Sequence, residues 1–252
     1  MNKEVLESII SDLRKVNFEN DPPTIVLDFG HGYVTSQKGE PIYDSGAIFE
    51  SEGKIYKEAV LVRQIGYKLK DELEEKGYNV IVTTSDNDKN QKAMETRFQE
   101  RIDKALDNNA DIYLSLHINS YDYNEGDKNP FFLIYHHEDA YDESKSLAKN
   151  FNLELNGDDI NGVRKTRSSV INVLTYYSDN KGYDIYRGLG GIPAVLMEIG
   201  NVQNPNDRER IIKDGAELAQ QIADGLDNIL SKPDSEKNLK IGTRNNTNKG
   251  RG

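Results

Sequence analysis

TIVLDFGHG, from Thr24 to Gly32, begins with three apolar residues, Ile25, Val26 and Leu27, and is then broken by Asp28, Gly30 and Gly32. A short β-branched run stopped by glycines predicts a buried strand with His31 at its carboxyl end. In open α/β sheets that end of the strands is where ligands bind. A single histidine there reads first as a loop residue after a core strand. The rest of the chain changes that reading, because two further strands finish the same way.

The first of these is ADIYLSLHINS, Ala110 to Ser120. Ile112, Leu114 and Leu116 alternate with Tyr113 and Ser115, the period of a strand, and His117 falls near its carboxyl end. The second is PAVLMEIG, Pro193 to Gly200, where Ala194 to Met197 is apolar and Glu198 closes the run. Between the first two strands, Ile55 to Gly77 reads as an amphipathic helix with Ile55, Ala59, Val62, Leu69 and Leu73 on its apolar stripe. Glu58 precedes Val62, Ile65 and Leu69 by four, seven and eleven residues, so it shares their face. A carboxylate on a core-facing stripe is costly unless a cation meets it. A first-turn acid also favours the helix dipole, so an ordinary ion pair or a helix-end acid accounts for Glu58 equally well.

The remaining elements fill in around these. YNVIVT (78–83), FFLIY (131–135) and 170–176 read as strands. Residues 94–108, 138–155 and 206–230 read as helices, the last with Ile212, Ala216, Ala219, Ile222, Leu226 and Ile229 inward. Asn204-Pro205 is suited to start that helix. Gly32 to Gly53, which contains DSGA at Asp44 to Ala47, reads as a long surface loop. Strands alternating with helices imply an α/β fold, a single domain with a twisted, mostly parallel mixed sheet covered by helices on both faces. Residues 1–23 form a helical extension before the domain, and 24–230 form the domain itself. Residues 231–252, with six Lys/Arg against two acids, form a polar tail expected to be disordered.

Composition narrows the function. At 252 residues the chain can bury a substantial core. A net charge of −11 argues against sequence-independent nucleic-acid binding, and no stretch is long enough to span a membrane. With no cysteine, thiolate chemistry and disulfides are excluded, so any metal must be held by His and carboxylate. The opening MNKEVLESIISDLRKV is charged throughout, which does not read as a signal peptide.

The topology predicted above brings His31, His117 and Glu198 to one sheet edge, with Glu58 aimed at the same region. His, Glu and His form a set that catalytic zinc accepts with one position left for water, and a second carboxylate beside that water is placed to act as a base. Dispersed ligands of this kind are a weak signal by themselves. Together with IVLDFGHG, the DSGA loop, Arg101 before ADIYLSLHINS, and PAVLMEIGNVQN, however, they make the chain resemble the zinc-dependent N-acetylmuramoyl-L-alanine amidases of the Amidase_3 type over most of residues 24–230. The resemblance implies zinc, one ion per chain, on His31, Glu58 and His117, with Glu198 as catalytic base. It implies a peptidoglycan substrate and a site of action at the cell wall; the sequence does not fix the oligomeric state, and a monomer is favoured. A phage lysin or a trimmed secreted enzyme would both fit. A stem-peptide zinc peptidase and a non-catalytic wall-binding protein with the same fold are the alternatives.

Several positions depart from the family pattern: Phe29 stands where Pro is usual, Thr84-Ser85 where Thr-Arg is usual, Asn201 where Phe is common and Leu106 where Asn is common. None is a ligand or the base. His136 and His137 are adjacent on a strand and point to opposite faces, which suits surface roles. Glu74-Glu75 and Asp158-Asp159 read as solvated acids. Arg101 reads as structural, tying a helix to nearby carbonyls. The tyrosines from Tyr176 to Tyr186 suit groove lining or packing.

Overall fold

The computed structural model of the protein describes residues 22–35, 41–84, 98–122, 132–135, 141–156, 170–172, 189 and 191–232. Residues 1–21 of the expected extension, 233–252 of the expected tail, Asp158-Asp159, the 176–186 tyrosines and the His136-His137 pair lie outside those residues. Ten strands are described: β1 (Thr24–Phe29), β2 (Gly32–Thr35), β3 (Pro41–Asp44), β4 (Ile48–Ser51), β5 (Lys54–Lys57), β6 (Asn79–Val82), β7 (Ile112–Asn119), β8 (Phe132–Tyr135), β9 (Val170–Asn172) and β10 (Ala194–Asn201). The helices are α1 (Glu58–Glu75), α2 (Phe98–Asp107), α3 (Tyr141–Asn156), α4 (Pro205–Lys213) and α5 (Gly215–Ser231).

The main sheet runs β6-β1-β7-β10-β8-β9. Its first four strands are mutually parallel, and β8 pairs antiparallel with β10. The sheet is therefore mixed and mostly parallel, as the sequence implies. One face packs Ile25, Leu27 and Phe29 of β1 and Val195, Met197 and Ile199 of β10 against α1, α3 and α5. The other packs Val26, Tyr113, Ala194 and Leu196 against Ile102 and Ala105 of α2. Burial on both faces explains why β1 and β10 carry continuous apolar runs rather than a strict alternation.

Three expectations are corrected. Gly32–Gly53 is not simply a loop: it folds into two small antiparallel pairs, β2-β3 and β4-β5. The β4-β5 turn is Glu52-Gly53, with φ of 52° and 74°. Positive φ at both central residues is what a tight two-residue hairpin requires. Ile55 lies in β5 and is 71% exposed, so it is not on the helical stripe. The last helix is two helices broken at Asp214. The break shifts the inward face, burying Ile211, Gly215 and Leu218 and leaving Ala216 exposed. Gly215 lies close to Ile65, where a Cβ would come within 3.1 Å of its Cγ1, so α5 begins tight against α1.

Candidate metal centre

Along the α2 face the sheet is built in rungs. Val26, Tyr113 and Ala194 are in register, then Asp28, Ser115 and Leu196, then His117 and Glu198. The rungs pass from apolar packing to a buried polar network and then to the candidate site at the carboxyl ends. Asp28 anchors the middle rung. Its Oδ1 accepts from Thr83 Oγ1 at 2.6 Å and from Arg101 Nη1 at 2.9 Å, and its Oδ2 accepts from Ser115 Oγ at 2.9 Å. Burial would raise the Asp28 carboxyl, but Arg101, Thr83 and Ser115 bring it below its ordinary value. Arg101 also donates to the Phe29 carbonyl, which is the structural role its sequence context suggests.

β1 ends at Phe29, and the chain turns through His31 with φ 60°. A left-handed conformation costs a non-glycine residue about 1–2 kcal/mol. Arg63 of α1 holds the turn, donating to the carbonyls of Gly30 (3.1 Å) and His31 (3.0 Å) and to Ala59 on its own helix (2.7 Å). Phe29 fits where the family usually has Pro because Gly66 opposite leaves room for its ring. A Cβ at Gly66 would come within 2.1 Å of that ring. Tyr67 meets it edge-on, with centroids 5.2 Å apart.

Glu58 is the first residue of α1 and is 3% exposed. Its Oε2 accepts the Ala47 N–H at 2.8 Å and its Oε1 the Ile118 N–H at 2.9 Å. Oε1 also lies 3.1 Å from His31 Nε2 and 3.1 Å from His117 Nδ1. The imidazole rings meet edge to face, with centroids 4.9 Å apart. The three residues bring one ligand atom each within 4.8 Å of the others. Both readings of Glu58 apply: it is a first-turn acid, and it faces two imidazoles. Burial would raise its carboxyl, but His117 and His31 take it well below the carboxylate range. Burial by itself would lower the His31 imidazole, yet Glu58 and then Asp44 hold it at about 9.

Glu198 stands beside His117 in register on the neighbouring strand. Its Oε2 is buried and accepts no hydrogen bond among the described residues. Burial pushes this carboxyl up to about 7; His117 opposes the shift, Glu58 reinforces it, and His31 opposes it. Just beyond Glu198 the β10–β7 register shifts, a bulge of the kind that re-aims a strand end beside a site. Asn201, at the position where Phe is common, donates from Nδ2 to the Tyr121 carbonyl at 3.0 Å and so joins the segments that leave β10 and β7.

The four residues singled out from the sequence therefore converge. Two contributors carried less signal. Asp44 was legible only as the acid of DSGA, and it accepts from His31 Nδ1 at 2.8 Å through Oδ2. Arg63 could have been found as a cation four residues after Ala59 on the apolar stripe.

The donor set fits a metal. Two donors about 2.0–2.1 Å from a tetrahedral zinc stand about 3.3 Å apart, close to the 3.1 Å separations of Oε1 from each imidazole nitrogen. Two imidazoles and a carboxylate, without thiolate, suit zinc or a similar borderline cation.

Comparison with known proteins gives the same direction. The sequence profile of the Amidase_3 family, N-acetylmuramoyl-L-alanine amidase, matches residues 25–228. A Bacillus subtilis (strain 168) protein, YqiI, itself uncharacterised, is 27% identical over 207 residues, spanning 81% of this chain and 82% of its own. The catalytic domain of CwlV, an N-acetylmuramoyl-L-alanine amidase from Bacillus (Paenibacillus) polymyxa var. colistinus, superposes with a TM-score of 0.55 at 22% identity, covering 82% of this chain and 98% of that one. An N-acetylmuramoyl-L-alanine amidase from Clostridium difficile 630 gives 0.56 at 23%, covering 84% and 98%. Cwp6 from Clostridium difficile gives 0.59 at 19%, covering 83% of this chain, which spans only 29% of Cwp6. At these identities the superpositions carry the fold.

Proposed function

This chain belongs to the N-acetylmuramoyl-L-alanine amidase family, enzymes that act on peptidoglycan, and from that premise we propose that residues 24–230 form a zinc-dependent catalytic domain that cuts the amide bond between N-acetylmuramic acid and L-alanine. His31, Glu58 and His117 hold the zinc, one ion per chain, and Glu198 is the base. The observation that carries the reading is the pairing of a three-donor cluster with a buried carboxylate oxygen that has no hydrogen-bond donor among the described residues.

When bound, zinc supplies Lewis acidity, polarising a carbonyl and bringing the pKa of water toward about 7. The chain's own residues do the rest. His31 Nε2 and His117 Nδ1 each face Glu58 Oε1; Asp44 orients His31, and the Ala47 and Ile118 N–H groups orient Glu58. Glu198, held near neutrality by burial, takes a proton from the attacking water and passes it to the leaving nitrogen of L-alanine. A carboxyl at about 7 can both accept and return a proton near neutral pH.

Mass spectrometry of digested peptidoglycan tests this reading. Stem peptides released with a free L-alanine amine, from intact glycan, are expected. Cleavage within the stem would make the protein a peptidase, and undigested wall would make it a non-catalytic binder.

A further inference from the structure

We propose that Asp44 is a positioning residue that selects the His31 tautomer able to bind metal, an inference that rests on the zinc reading above. A neutral imidazole carries its proton on one nitrogen and offers the other as a lone pair. Asp44 Oδ2, which can only accept when ionised, lies 2.8 Å from His31 Nδ1. That contact keeps the proton on Nδ1. The proton given up to a metal is then the one on Nε2, which faces the donor cluster 3.1 Å from Glu58 Oε1, and its loss leaves the Nε2 lone pair for the cation. A partner on the far ring nitrogen is the usual way a metal-binding histidine is oriented.

The carboxylate cannot rotate freely, because its Oδ1 accepts the Gly46 N–H at 3.0 Å. Gly46 is left-handed (φ 63°) and lies directly against the cluster. A Cβ there would come within 2.4 Å of Glu58 Oε2 and 2.6 Å of His31 Cδ2. The next residue, Ala47, donates its N–H to Glu58 Oε2 at 2.8 Å. One four-residue turn therefore occupies His31 Nδ1 and Glu58 Oε2, which leaves Nε2 and Oε1 facing each other. The Asp44 side chain is 48% exposed, so close packing does not account for its place.

Asp44→Asn separates this role from simple support of the turn. The amide oxygen can keep the Gly46 N–H. The amide nitrogen, a donor only, then faces His31 Nδ1 and drives the ring proton to Nε2, the nitrogen the metal needs. Zinc affinity is measured by chelator competition on wild type and Asp44→Asn, with melting in chelator as the check on folding. The expected result is zinc binding weakened about 10–100-fold in a variant that melts like wild type. Wild-type affinity in Asp44→Asn would overturn the tautomer role while leaving the zinc reading intact. No zinc binding by the wild type would overturn both. Should the variant misfold, nitrogen-15 NMR of the zinc-loaded wild type decides: a proton on His31 Nδ1 is expected, and zinc on Nδ1 would overturn the proposal.

Discussion

Glu198→Gln separates the base from the ligands and has a second consequence for stability. The substitution keeps the shape of the side chain and leaves the three donors in place, so zinc should remain bound. Turnover on a muramoyl-peptide should fall by about 10²–10⁴-fold, the usual contribution of a general base. Burial also holds the Glu198 carboxyl at about 7, against 4.5 for the free group. A carboxyl raised on folding favours the folded state while both states are protonated, below about 4.5. It loses that contribution as the pH climbs through about 7. A shift from 4.5 to about 7 corresponds to about 3 kcal/mol at about 1.4 kcal/mol per unit. In metal-free protein, the stability of Glu198→Gln relative to wild type should therefore rise by about 3 kcal/mol between pH 4 and pH 8. Comparing the two pH values cancels the fixed cost of burying an amide. Urea unfolding at both pH values, with zinc content and turnover on the same samples, is the assay. A pH-independent difference would mean that Glu198 ionises normally and is not held as described. Loss of zinc would make Glu198 a ligand, and near-normal turnover would remove it from the mechanism.

Two further outcomes follow from neighbouring groups. Because His31 is held at about 9 without metal, it must lose a proton before binding a cation; zinc dissociation constants should fall about tenfold per pH unit from 7 to 9 and level off above, as read by chelator competition. Arg101→Met leaves the Asp28 carboxylate buried without its cation, and should lower the unfolding free energy by about 3–5 kcal/mol in a urea titration at pH 7.

Much of the site is legible in the sequence because each contributor sits at a change of pattern. His117 and Glu198 are polar interruptions at the ends of apolar strands, and Glu58 is an acid on a buried helical face. The hairpins hidden in Gly32–Gly53 are less visible. Their strands are four residues long, and β4-β5 puts Ile48 and Ile55 toward solvent, so no buried face imposes an alternation. Ile55 also falls four residues before Ala59, which imitates a helical stripe. The break at Asp214 escapes a periodicity argument because apolar residues continue on both sides, and a small residue, Gly215, is what the contact with Ile65 requires. Asp44 and Arg63 act through backbone carbonyls and a ring nitrogen across long sequence separations. Those partners exist only once β1, the turn at His31 and α1 are assembled.

The central claim is that one zinc sits on His31, Glu58 and His117. Anomalous diffraction at the zinc edge from crystals of the zinc-loaded protein tests it most directly. A single peak about 2.0–2.2 Å from His31 Nε2, Glu58 Oε1 and His117 Nδ1, with Glu198 standing off it, is the expected result. A peak at His136 or His137 with none at the cluster would contradict it.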